Sequence, residues 1–110
     1  MDTKNITKKK FKFFKILILN FVVFNQSFSN EMFNLGKEIF LNSGNCSTCH
    51  SLKDAGSLAN VGPNLNEIRP DIGRVINSVT NGIGVMPAML GILSNKEIEA
   101  VAKYVSEKSN

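Results

Sequence analysis

Cys46-Ser47-Thr48-Cys49-His50 gathers both cysteines and the single histidine of the 110-residue chain. Two thiols three residues apart in a helical turn can reach the two vinyl groups on one edge of a porphyrin and form thioethers. The adjacent imidazole is then carried under the ring, where it can ligate iron. The C-x-x-C-H pattern is therefore read as a covalent attachment site for haem c. Other uses of the same residue types compete. A closed zinc site needs four soft or imidazole ligands, and two Cys with one His fall short. A thioredoxin-like dithiol sits in a βαβ context, which is absent here. A simple disulfide is the remaining, blander use of the pair.

The elements that must position this motif begin after a segment of different character. Six of the thirteen Lys and Arg residues (Lys4, Lys8, Lys9, Lys10, Lys12, Lys15) lie in the first fifteen positions. Ile16 to Phe24 is an apolar run broken only by Asn20, and Asn25-Gln26-Ser27-Phe28-Ser29 is polar with small residues at Ser27 and Ser29. This is the order of a secretory signal, with cleavage expected after Ser29. The expected division is a signal peptide over 1–29 and one domain over 30–110. The apolar run is far short of the ~20 residues that span a bilayer. Phe11, Phe13, Phe14 and Phe28 could extend it into an uncleaved anchor, and only then would a membrane be a partner.

With 43% hydrophobic and 20% charged residues, the chain is neither disordered nor a multi-span membrane protein. The formal charge of +4 belongs largely to the export signal. Without residues 1–29, seven basic side chains face eight acidic ones, and no basic patch with interleaved aromatics remains, which argues against a nucleic-acid partner. A domain of this size has marginal side-chain burial and usually needs a staple, metal or cofactor.

Helical periodicity places three helices around the motif. Asn30 is expected to cap a helix over Glu31 to Leu41, with Phe33, Gly36 and Phe40 on one face. Asp71 caps a second, in which Ile72, Val75, Ile76 and Val79 repeat at three and four and Asn81-Gly82 supplies the stop. Ser94 and Glu97 form a capping box for the third, with a Leu93–Ile98 staple and a stripe of Ile98, Val101, Ala102 and Val105. The domain is expected to be all-α. Ser43 to Pro70 and Gly82 to Leu93 read as long loops, which in so small a domain are usually functional.

The second loop carries methionines. With His50 the only histidine, a second protein ligand to iron would be a thioether, and Met32, Met86 and Met89 follow the signal. Met32 falls in the first helix and suits core packing. Met86 precedes Pro87, whose fixed φ stiffens the backbone presenting the sulfur. Met89 is its rival.

In its motifs and their order the chain resembles a small class I cytochrome c. The likeness covers nearly all of 30–110 and rests on Cys46-Ser47-Thr48-Cys49-His50, on Gly62-Pro63-Asn64-Leu65 and on Val85-Met86-Pro87-Ala88-Met89. The resemblance implies a cytochrome c fold of three to four short helices around one covalently bound haem. It further implies that Cys46 and Cys49 bind the haem, that His50 is the proximal and Met86 the distal ligand, and that the Pro63 carbonyl accepts a hydrogen bond from His50. Gly36 and Phe40 would meet Tyr104. The sequence departs from many relatives in having Met89 where they carry Phe.

A haem closed on both faces by His50 and Met86 moves electrons rather than substrate. The expected function is that of a periplasmic one-electron carrier, not an enzyme. Its partners would be a donor dehydrogenase or quinol-oxidising complex and an acceptor oxidase or reductase. Two alternatives are a dedicated haem subunit of a periplasmic dehydrogenase and a ligand-binding haem sensor.

Overall fold

Ser94 and Glu97 set the start of the longest element through local chemistry alone. In the computed structural model, which describes residues 25–110, the Ser94 hydroxyl accepts from Glu97 N at 3.2 Å and the Glu97 carboxylate accepts from Ser94 N at 3.0 Å. This reciprocal cap opens a helix, α4, over Asn95–Lys108. Its expected stripe of Ile98, Val101, Ala102 and Val105 is buried, joined by Ala100 and Tyr104. Leu93, the expected staple partner, is buried as well.

Asp71 acts in the same way. Its carboxylate accepts from Arg74 N at 2.8 Å and starts the helix α3 over Ile72–Asn81. Gly82 ends it with φ 72° and ψ 168°, a backbone region that is essentially glycine's own. Val75 and Val79 are buried and Ile72 is exposed, so the inward face is narrower than the apolar repeat. α3 packs against α4.

The lysine-rich and apolar stretches of the expected signal lie outside the described residues. Residues 25–30 are helical and exposed. Asn30 is itself helical, so the cap expected there is not formed; neither Gly nor Pro stands nearby to interrupt the geometry. A compact unit runs from Glu31 to Asn110. It opens with α1, residues 31–38, which passes into a wider turn over Ile39–Ser43. No helix among the described residues is long and apolar enough to cross a membrane.

α1 crosses α4 where its glycine permits. A Cβ on Gly36 would overlap the Ala100 carbonyl oxygen and lie 2.7 Å from Tyr104 Cβ. Phe33 and Phe40 set their rings edge-on to Tyr104 at 5.2 and 5.9 Å. The wholly buried Tyr104 donates its hydroxyl to Asp54 Oδ2 at 2.7 Å, and Lys37 reaches the same oxygen at 3.2 Å. The Tyr104 hydrogen bond, aided by Lys37 and Lys108, holds the Asp54 carboxyl below its ordinary value. Burial and the Asp54 charge push the Tyr104 phenol up.

The two expected loops are mostly ordered. The first contains tight turns over Cys46–Thr48 and Lys53–Ala55, and a hairpin in which β1 (Ser51–Leu52) pairs antiparallel with β2 (Ser57–Leu58). It ends in α2, Leu65–Ile68, which is capped by Asn64 accepting from Asn66 N at 3.0 Å. Strands of two residues leave the architecture all-α, the expected cytochrome c fold with four helices.

Candidate functional site

The Cys46–Thr48 turn is entered through Asn45 in the left-handed region, φ 52°, which Asn tolerates better than most residues. The Cys46 carbonyl then accepts from both Cys49 N (3.1 Å) and His50 N (2.9 Å), closing the motif on itself. β2 braces this turn. The buried Ser57 Oγ lies 2.9 Å from the Ser47 carbonyl and 2.6 Å from that of His50, so its one proton serves two acceptors. Nothing in the spacing of Ser57 marks it in the sequence; the hairpin brings it there.

The His50 ring is fixed from two directions. Its Nδ1 lies 2.8 Å from the Pro63 carbonyl oxygen. A carbonyl only accepts, so Nδ1 carries the proton, and in the neutral ring the lone pair is on Nε2. Gly62 closes the other approach, donating its N–H to the Cys49 carbonyl at 2.7 Å. A Cβ at Gly62 would stand 2.6 Å from His50 Cε1, 2.9 Å from Nδ1 and 3.1 Å from Nε2. Such short distances to both nitrogens place that point over the face of the ring. Gly62 therefore lets the backbone lie flat on the imidazole, a role that its place in Gly62-Pro63 hints at but does not specify.

Met86 is delivered by a two-residue hairpin loop, in which Ile83 and Met86 exchange backbone hydrogen bonds of 3.1 and 3.0 Å. Gly84, with φ +57°, occupies the first central position and admits the turn. Gly82 lies under the loop, where a Cβ would meet the Met86 carbonyl at 2.7 Å. Met89 is tied back to α3 through its N–H to the Val79 carbonyl at 2.8 Å.

These segments surround one cavity of about 470 Å3. Cys46, Cys49, His50, Pro63 and Met86, far apart in the chain, all line it, and Met89 does too. Met32 instead packs against the hydrophobic core. The cavity lies in the ~300–1,000 Å3 range of cofactor sites. Much of its wall is core: Phe40, Leu65, Val75, Val79, Val101 and Val105. The two thiols are unpaired with each other, and burial pushes Cys46 up to about 11, leaving it a neutral thiol at pH 7. No group of three or more His, Cys, Asp or Glu able to hold a bare metal ion occurs among the described residues. Two thiols, one imidazole with Nε2 open and a thioether around an apolar slot fit a porphyrin iron attached through thioethers.

A family model described as "Cytochrome C oxidase, cbb3-type, subunit III" matches residues 31–105. Cytochrome c6 of Diacronema lutheri is 35% identical over 79 residues, 67% of this chain and 93% of that protein. Cytochrome c6 of a Nostoc species is 32% identical over 111 residues, 90% of this chain and 95% of that one. Among solved structures, the c-type cytochrome SorU from Sinorhizobium meliloti shares 52% identity with a TM-score of 0.70, over 73% of this chain and 93% of that chain.

Proposed function

Because the chain belongs to the cytochrome c family and carries covalent haem c, we propose that it is a periplasmic one-electron carrier with His50 and Met86 as axial ligands. Cys46 and Cys49 would hold the haem covalently through thioethers. Residues 1–29 are the export signal and 30–110 the mature domain. The observation that carries this reading is the Nδ1 contact of His50 with Pro63 at 2.8 Å, which leaves Nε2 free in a cavity that Met86 also lines.

When bound, the haem supplies a one-electron couple at iron. The chain's own residues govern that couple. Pro63 holds the imidazole in one tautomer and raises its basicity through the Nδ1 hydrogen bond. Met86 supplies a soft ligand, which raises the potential relative to harder ligand sets. Gly82, Gly84 and Pro87 fix the loop that presents it. The core side chains that line the cavity would exclude water, and a site closed by His50 and Met86 would leave little geometry to change on electron transfer.

A second reading, in which the protein is a dedicated haem subunit of a larger redox complex, draws support from the family description, which names an oxidase subunit. Absorption spectra of the oxidised and reduced holoprotein, with and without carbon monoxide, test the carrier reading. The expected result is a low-spin c-type spectrum indifferent to carbon monoxide, lost in Met86→Ala and kept in Met89→Ala. Rapid carbon monoxide binding to the unaltered protein, or loss only in Met89→Ala, refutes the ligand assignment. Stoichiometric co-purification with one catalytic partner would move the subunit reading ahead.

A further inference from the structure

The turn that presents Cys46 is entered from a buried wall. α1 passes into the wide turn over Ile39–Ser43, and the Gly44 N–H closes it on the Ile39 carbonyl at 2.7 Å, five residues back. Single wide turns within helices are frequent at functional sites. Asn45 then reverses the chain, and Gly44, Asn45 and Cys46 line the cavity together. Cys46 packs against the hydrophobic core, to which the wholly buried Ile39 belongs.

Gly44 has no conformational need to be glycine. Its φ of −91° and ψ of −13° are close to those of the third residue of a type I turn, which most residues adopt. Where another residue fits, glycine is the costlier choice, since it leaves the unfolded chain more freedom to lose. What Gly44 supplies is space. A Cβ there would lie 2.8 Å from the Ile39 carbonyl oxygen, 3.0 Å from Ile39 Cγ2 and 3.2 Å from Cys46 Sγ. Ile39 is wholly buried and its carbonyl already receives the Gly44 N–H, so neither Ile39 contact opens freely. Relief comes from the thiol itself or from the backbone two residues before it, and both displace the sulfur.

We propose that Gly44 is a positioning residue for haem attachment: its bare Cα leaves the recess in which the Cys46 sulfur is held at the cavity wall. This inference rests on the haem-carrier reading above and concerns how that site is made. Attachment adds the thiol S–H across a carbon–carbon double bond of the cofactor. The S–C bond forms, the hydrogen passes to the neighbouring carbon, and no oxidant or reductant is consumed. Such a step depends on where the sulfur stands, and a misplacement of about 1 Å can cost about 100-fold in rate. The displacement falls on Cys46 first, because the Cys49 carbonyl is anchored from elsewhere, by the Gly62 N–H at 2.7 Å.

The test is Gly44→Ala, matured in a host with haem-attachment machinery, unfolded and treated with iodoacetamide, with the alkylated cysteines located by peptide mass mapping. The unaltered protein is expected to show alkylation at neither cysteine. In Gly44→Ala, a sulfur displaced by a few tenths of an ångström should leave Cys46 alkylated about tenfold more than Cys49. Single-thiol backgrounds decide the matter if Gly44→Ala matures poorly. In Cys49→Ala, where only Cys46 can attach, adding Gly44→Ala is expected to lower haem per polypeptide about tenfold; in Cys46→Ala, where only Cys49 can attach, by less than about twofold. A folding defect would lower both alike. Equal loss in the two backgrounds overturns the proposal, as does a Gly44→Ala holoprotein in which Cys46 is alkylated no more than Cys49. Alkylation of both cysteines in the unaltered protein refutes instead the attachment reading on which the proposal rests.

Discussion

Gly62→Ala probes the contact that holds His50 most directly. Gly62 does not have a positive φ, so alanine meets no backbone penalty, and any effect must come from the added methyl group. That methyl would stand 2.6 Å from His50 Cε1, whereas ordinary contact begins near 3.4 Å, so roughly 0.8 Å of separation must be found. If the ring yields, it moves along its normal and tilts Nδ1–H off the Pro63 carbonyl. If the backbone yields, it carries the Pro63 oxygen away and strains the 2.7 Å bond from Gly62 N to the Cys49 carbonyl. Overpacking of this size costs about 1–3 kcal/mol, read as a lower midpoint in guanidinium unfolding of the ferric holoprotein. The Nδ1 hydrogen bond makes the imidazole a better donor to ferric iron, so weakening it raises the potential. Were a loss of about 0.5–1 kcal/mol to fall wholly on the ferric state, it would correspond to about 20–40 mV, which is the upper bound on the shift. Both measurements are made on protein that keeps its low-spin spectrum. A variant within about 0.3 kcal/mol of the parent in stability and unchanged in potential refutes the reasoning, because the imidazole then has room the geometry denies it.

Tyr104→Phe removes the 2.7 Å hydrogen bond to Asp54, and with the carboxylate 30% exposed and still paired with Lys37 the cost at pH 7 is about 1 kcal/mol. Asp54's folded-state value is depressed, so its stabilisation is present above the ordinary aspartate value of 3.8 and is lost as pH falls through the lower folded one. The gap between Tyr104→Phe and parent in urea unfolding should therefore narrow in acid, and a gap constant with pH would show that the charge plays no part. Gly36→Ala drives a methyl into the Ala100 carbonyl, and chemical unfolding should show a loss at or above about 3 kcal/mol. Ser57→Ala leaves two carbonyls of the haem-binding turn without their shared donor, for about 1–3 kcal/mol, and hydrogen exchange at residues 46–50 should rise more than at α4.

The caps of α3 and α4 were legible because capping is local: Asp71 and Ser94 each reach an N–H three residues on, and no distant contact is needed. Asn30 offered the same signal and did not cap, since a residue that can cap is also tolerated inside a helix when no breaker precedes it. The order within Ser43 to Pro70 escaped the reading because its stabilising contacts are long-range. Asn66 Oδ1 accepts from Lys53 N at 2.9 Å and Asn66 Nδ2 donates to the Lys108 carbonyl at 3.2 Å, partners that no periodicity reveals.

The sequence by itself determined the chemistry on offer: two thiols and an imidazole at haem-attachment spacing, methionines in a glycine-rich stretch, and helices whose stripes must bury something. Those depend on residue type and near-neighbour spacing. Only the tertiary structure decided which groups meet. It laid Gly62 on the face of His50, set Ser57 against two carbonyls of the attachment turn, and brought His50, Pro63 and Met86 to one cavity. The physical reason is that packing among α1, α3 and α4 places groups that are distant in the chain, and such placement is a property of the whole set of contacts rather than of any one segment.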